Sequence, residues 1–267
     1  MSISTIHTVH GMRAWQQTIG ASRVGFVATM GALHTGHAAL IERSVSECDL
    51  TVVSVYVNPT QFDQADDLKI YPRTLDTDVA LADSLGADLV FAPTWEEMYP
   101  DEFRYQVDEA EFSRELCGAH REGHFTGVLT VVMKLLNIVR PERAYFGEKD
   151  YQQFKLISDM VRAFHMDAEM VPCATVRESD GLALSSRNLN LSCDARETAP
   201  IIHQLIASDR SDQEVIEALT EAGFNVDYVV SKYGRRFVAA RIGDDEREVR
   251  LIDNVPRPMT DLQGESA

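Results

Sequence analysis

Lysine is scarce in this chain, long apolar runs are missing, and its cysteines form no spaced pair; each shortage excludes a class of protein. Five of the 267 residues are lysine, and 25 basic residues face 42 acidic ones, for a formal net charge of −17. That balance argues against a nucleic-acid or anionic-membrane surface, although an anionic small molecule can bind where cations gather locally. No stretch approaches the roughly 18 consecutive apolar residues of a membrane span. The opening residues, Met1 to His7, have neither a basic start nor an apolar stretch, so no signal peptide is expected and the cytoplasm is the default location. Cys48, Cys117, Cys173 and Cys193 lie far apart and read as reduced thiols, mostly in the core, rather than as a disulfide framework or a zinc site.

Familiar ligand-binding strings are missing too. There is no GxxxxGK[ST] phosphate loop and no GxGxxG dinucleotide fingerprint. The segment His120-Arg121-Glu122-Gly123-His124 is not the zinc-protease HExxH, because Arg121 stands where the glutamate belongs and Gly123 weakens a helix. What remains is an ordinary globular composition, 45% hydrophobic and 25% charged, long enough for one large or two modest domains.

The first two thirds alternate strand and helix patterns. Strands are expected at 23–28, 50–57, 87–92, 144–146 and 169–171, and helices at 38–44, 75–86, 128–139 and 151–164. Val128, Val131, Val132, Leu135, Leu136 and Val139 form one stripe of the third helix, which Pro141 stops. This βαβα order predicts a doubly wound, parallel, Rossmann-like sheet, whose ligands bind at the carboxyl ends of the strands. Beyond about Val176 the pattern becomes helices at 195–208 and 212–222, then strands at 226–230, 236–240 and 249–253, a smaller α+β domain. The expected division is 1–178, the Rossmann-like domain, and 179–267, the small C-terminal domain.

The strand at 23–28 runs into His34-Thr35-Gly36-His37, which opens a helix. Two imidazoles three residues apart can share one face of the first turn, beside free backbone N–H groups and the positive end of the helix dipole. Gly36 gives a bulky ligand room to approach the main chain. The pair suits a phosphate. It would equally suit ordinary capping or surface histidines, or half of a zinc site, although no nearby Cys or carboxylate completes one. Two further polar segments, Asn58-Pro59-Thr60-Gln61-Phe62 and Gly147-Glu148-Lys149-Asp150, follow other strands and converge on the same sheet edge.

HxGH, NPTQF, GEKDxxQ and Leu184-Ser185-Ser186-Arg187-Asn188, in this order, resemble the pantothenate synthetase family, HxGH-type adenylate-forming ligases of the nucleotidyltransferase superfamily. The likeness extends through Thr29-Met30-Gly31-Ala32-Leu33-His34, Tyr71-Pro72-Arg73-Thr74, Phe125-Thr126-Gly127-Val128 and Arg177-Glu178-Ser179-Asp180-Gly181-Leu182, from about Gly25 to Asn254. Nucleotidylyltransferases share HxGH but commonly carry an Ile-Ser-Thr-Thr type segment that is missing here. A nucleotide-binding regulatory module would have no use for amide side chains suited to further substrates.

The resemblance implies a substrate set of ATP, pantoate and β-alanine, with Mg2+, in a homodimer without nucleic-acid or membrane partners. It implies that pantoate attacks the α-phosphate of ATP and that β-alanine then attacks the adenylate. His34, His37, Lys149 and Arg187 would be catalytic, with His37 donating to the charge that develops on pyrophosphate. Met30, Gly31, Ala32, Leu33, Thr35 and Gly36 would line ATP with the two histidines. Gly147, Glu148, Lys149 and Asp150 would do so from the second loop, Asp150 holding ribose or Mg2+ through water. Val176 would touch the adenine, and Leu184, Ser185, Ser186 and Arg187 would form a phosphate loop. Gln61 and Gln153 would bind pantoate, Gln61 also β-alanine; no residue set is expected to hold a metal by itself. Ala28 departs from the proline usual in the family, which predicts a looser exit from the first strand. The stretch from Ile206 to Val226 is also rather short for the family, which bears on closure of the small domain.

Overall fold

Apolar runs too short for helices pair into a parallel sheet, and amphipathic stretches between them supply its helices. The computed structural model describes residues 3–63, 65–244 and 248–257. The chain divides into two compact units, Met1–Thr175 and Val176–Ala267. The first contains β1 (Ser4–Ile6), α1 (Val9–Thr18), β2 (Val24–Thr29), α2 (Thr35–Glu47), β3 (Leu50–Val55), α3 (Ala65–Ile70), α4 (Leu75–Ser84), β4 (Leu89–Phe91), α5 (Trp95–Met98), α6 (His124–Val139), β5 (Arg143–Gly147), α7 (Tyr151–Ala163) and β6 (Glu169–Cys173).

The sheet order is β1-β4-β3-β2-β5-β6, and every pairing is parallel. Strand order therefore reverses between β2 and β5, the switch point at which such sheets open a crevice. Val27, Val53, Val90 and Tyr145 join Leu40, Ile41 and Ala82 in one buried cluster that seats α2 and α4. Burying each such side chain is worth roughly 1.5–3 kcal/mol. Helix α6 is apolar nearly all round, with Phe125, Val128, Leu129, Val131, Val132, Leu135, Leu136 and Val139 buried, and it packs against α1 and α7. It ends at Arg140, held left-handed at φ 50°, where Pro141 forbids another turn.

The second unit contains α8 (Cys193–Thr198), α9 (Ile201–Ile206), α10 (Asp212–Glu221), β7 (Asn225–Lys232), β8 (Arg235–Gly243) and β9 (Glu248–Pro256). Its three strands form an antiparallel sheet, β7-β8-β9, covered by Ile202, Ile206, Val215 and Leu219. Arg236 is fully buried; its guanidinium ties Asp212 (2.8 Å) to the carbonyls of Ile206, Ser208 and Arg210. No helix among the described residues is long and apolar enough to cross a membrane.

Three expectations need correction. The helix expected at 195–208 is two, because Pro200 has no N–H to give the ladder. β1 and α1 precede the strand expected to be first, and three residues on a sheet edge leave too little pattern to read. Ala28 does not loosen the strand exit: it pairs with Ser54, and the next residue, Thr29, donates its hydroxyl to the Ser54 carbonyl (2.6 Å).

Candidate active site

The loop after β2 turns sharply at two left-handed residues, Gly31 (φ 81°) and Ala32 (φ 50°). A buried carboxylate holds it there. Asp78 of α4 accepts from the Ala32 and Leu33 amides (3.1 and 2.8 Å) and from the Thr74 hydroxyl (3.1 Å). A side chain on Gly31 would crowd that carboxylate and Val55, so glycine is required on two counts. Asp78 escaped the sequence reading, yet a signal existed: it shares the inward stripe of α4 with Leu75, Val79 and Ala82.

The turn delivers His34 as the cap of α2. Its Nδ1 accepts from the Gly36 amide (3.1 Å), and His37 Nδ1 accepts from the His34 amide (3.3 Å), a reciprocal capping box built from two imidazoles. The ring centroids lie 4.1 Å apart. The expected free N–H groups of the first turn are thus partly consumed, because His34 takes those of Gly36 and His37. The capping and ligand readings of this pair are not exclusive.

Occupied Nδ1 atoms leave each neutral ring its proton on Nε2. Burial holds the His37 pKa down to about 3, assisted by His34 and Lys149 against an opposing pull from Asp150. Burial, then Lys149, lowers that of His34 as well. The pair therefore offers neutral N–H donors near pH 7. Lys149 and Asp150 come from the single turn after β5, their charged ends 3.7 Å apart. A side chain on Gly147 would meet nothing within 4 Å, which leaves the strand end open to a ligand.

The third loop follows β3. Asn58 is buried and donates to Gln61 Oε1 (3.1 Å) and the Gly127 carbonyl (3.2 Å), while Tyr99 and Thr60 hydroxyls donate to its Oδ1 (2.8 and 3.0 Å). Gln61 Nε2 lies 3.0 Å from Met30 Sδ, which brings the first and third loops together. Sulfur is a weak acceptor, so the Gln61 amide retains donors for an acid oxygen. Gln153 lies half-buried in the first turn of α7, whereas its neighbour Gln152 is buried and braces Cys117 N, Phe112 O and Glu115 O. β2, β3 and β5 are adjacent, so Met30 to His37, Gln61 and Gly147 to Asp150 emerge side by side. Among the described residues no group of three or more His, Cys, Asp or Glu could hold a metal.

In the second unit, Val176 to Leu184 form a hairpin, with the Leu184 amide donating to the Val176 carbonyl (3.0 Å) and Gly181 at φ 94°. Arg177 grips Asp253 through two bonds (2.6 and 2.9 Å), and Arg196 binds Asp180 (2.6 Å) and Glu178 (2.9 Å). The hairpin leads into Ser185, whose Oγ accepts from the Arg187 amide (3.3 Å), and the single turn Ser186–Asn190, which exposes Arg187.

A family model described as pantoate-beta-alanine ligase matches residues 4–256. The pantothenate synthetase of Bdellovibrio bacteriovorus is 54% identical over 243 residues, covering 91% of this chain and 95% of that protein. That of Legionella pneumophila is 49% identical over 231 residues, covering 86% and 90%. A crystal structure of the Francisella tularensis pantoate-beta-alanine ligase, complexed with beta-gamma ATP and beta-alanine, matches at a TM-score of 0.89 and 37% identity, covering 96% of this chain and 98% of that one. The Thermus thermophilus pantothenate synthetase matches at 0.86 and 42%, covering 96% and 100%.

Proposed function

The chain belongs to the pantoate-beta-alanine ligase family, and we propose that its reaction runs at the β2, β3 and β5 strand ends. The enzyme condenses pantoate with β-alanine at the expense of ATP, through a pantoyl adenylate, and releases AMP and pyrophosphate. A carboxylate is a poor acyl electrophile until one of its oxygens joins a good leaving group. In the first step a pantoate oxygen bonds to the α-phosphorus and the bond to the β-phosphate oxygen breaks. In the second, the β-alanine amine bonds to the acyl carbon, and AMP departs with the former pantoate oxygen.

The observation that carries this reading is the neutral imidazole pair beside Lys149 at the switch point. Nε2–H donors fixed in advance gain most where pyrophosphate charge develops, each worth roughly 3–4 kcal/mol. Their neutrality avoids the cost of burying two cations together. Lys149 supplies a point charge, and Arg187 supplies a bidentate fork for the β- and γ-phosphates. Met30 to His37 and Gly147 to Asp150 line the nucleotide, Val176 meets the adenine, and Leu184, Ser185 and Ser186 carry the Arg187 loop. Gln61 and Gln153 bind pantoate through neutral amides, and Gln61 also serves β-alanine.

Mg2+ fits this donor set as a hydrated ion held chiefly by ATP phosphates, with Asp150 the carboxylate that would reach it through water. It would supply charge to the polyphosphate. The working form is a homodimer in the cytoplasm, and sedimentation equilibrium checks the former. The reaction itself is tested with pantoate labelled by ¹⁸O in its carboxylate. Equal amounts of AMP and pyrophosphate, with label in AMP, are expected. ADP, or unlabelled AMP, overturns the reading.

A further inference from the structure

Gln61 cannot select an acid unless something fixes the turn that carries it, and the first turn of α6 does so. His124, buried at the start of that helix, places Nδ1 2.7 Å from the Gln61 carbonyl. Its Nε2 lies 3.0 Å from Arg121 Nη1. A carbonyl only accepts and a guanidinium only donates, so both partners demand the same tautomer: proton on Nδ1, lone pair on Nε2. Arg121 Nη2 also reaches the Gln61 carbonyl (3.3 Å), and its Nε is held by Asp63 (2.9 Å). Burial pushes the Asp63 carboxyl up, but the Arg121 guanidinium outweighs it and leaves that carboxyl below its usual range. One turn along α6, a side chain on Gly127 would collide with the Thr60 carbonyl, so helix backbone and turn are in direct contact.

We propose that His124 is a positioning residue for acid recognition: its Nδ1–H holds the Gln61 backbone and so sets where the Gln61 amide meets pantoate. The HREGH string is thereby absorbed into the site, not as a metal motif but as a brace. His124 continues the apolar stripe of Val128, Val131 and Leu135, and a polar residue on such a stripe is the mark of a specific bond. The proposal rests on the assignment of Gln61 to pantoate.

Steady-state kinetics on three variants test it. His124→Phe keeps a ring but removes the donor, and it should raise the pantoate KM at least fivefold while the ATP KM stays within twofold. His124→Asn offers an amide N–H near the Nδ1 position and should recover most of that loss. Gln61→Ala should raise the pantoate KM at least as far as His124→Phe. An unchanged pantoate KM in His124→Phe beside a raised one in Gln61→Ala overturns the brace alone. Equal increases for pantoate and ATP, or no recovery in His124→Asn, make the role merely structural and also overturn it. A Gln61→Ala enzyme with wild-type pantoate dependence removes both assignments. A wild-type measurement needs no variant to fold: long-range ¹H–¹⁵N spectra should show Nδ1–H at His124 but Nε2–H at His34 and His37. An Nε2–H pattern at His124 refutes the proposal.

Discussion

The two units hold their functional loops by opposite means. In the first, buried Asp78 and Asn58 and the half-buried His34 bind backbone groups directly: Asp78 the amides of Ala32 and Leu33, His34 that of Gly36, Asn58 the Gly127 carbonyl. In the second, the hairpin before Arg187 is laced by ion pairs, Arg177 to Asp253 and Arg196 to Glu178 and Asp180. Breaking a side-chain bond to a buried backbone group is costly and depends little on salt. Of the ion pairs, Arg177–Asp253 is largely buried, whereas Arg196 and its two carboxylates are about one third exposed, screened and cheap to break. The difference teaches that the loop after β2 is fixed by bonds to its own backbone, while the hairpin of the second unit keeps one adjustable link, at Arg196.

The sharpest way to break this contrast is His37→Ala, with His34→Ala beside it. Removing a fixed donor should cut pyrophosphate exchange by about 10²–10³-fold without unfolding the protein. Exchange at wild-type speed in a folded variant would end the donor assignment. Asp78→Ala comes next, since it strands two amides of the loop, each costing about 1–3 kcal/mol. Urea titration should register that loss together with a weaker ATP affinity by calorimetry; a loss of stability alone would demote Asp78 to scaffold.

Acid supplies a gentler probe. The folded pKa of His37, about 3, lies below its ordinary 6.5, so the unfolded chain takes up a proton that the folded chain refuses. The stabilisation is fully present above pH 6.5 and is lost as pH falls towards 3, with a slope of at most about 1.4 kcal/mol per unit. Denaturation midpoints measured across that window should flatten in His37→Gln. An unaltered acid limb would mean that the ring is not buried neutral.

The smallest effect belongs to the second unit. Arg196 holds the Asp180 carboxyl below its usual range, a contribution present at neutral pH and lost on acidification. Both groups are about one third exposed, so Arg196→Gln should cost under about 1 kcal/mol and lose even that at high salt. A large, salt-independent penalty would erase the contrast between the units.

Much of the first unit was legible because β2 is a largely apolar run, β3 is rich in β-branched residues, and α6 carries a long stripe. The converging loops followed from strand order, and HxGH, NPTQF and GEKD marked their tips. What sequence could not show is the support behind those tips. Asp78 lies 46 and 45 residues beyond Ala32 and Leu33, and it holds their backbone amides, which leave no trace in composition. The free N–H groups expected at α2 are partly taken because the histidines cap their own helix, a choice fixed by side-chain rotation rather than residue type. The sequence pattern ran a helix through Pro200, where the missing donor should have carried more weight than the flanking apolar residues.

Helix engineering ordinarily favours replacing an interior glycine with alanine, a gain of about 1 kcal/mol from propensity alone. Gly127 would head any list of such positions in α6. Yet the missing methyl is the space in which the Thr60 carbonyl sits, so a change scored as stabilising from the helix would be transmitted to the turn that carries Gln61. A thermostability programme for this enzyme should leave Gly127 alone, however favourable its propensity.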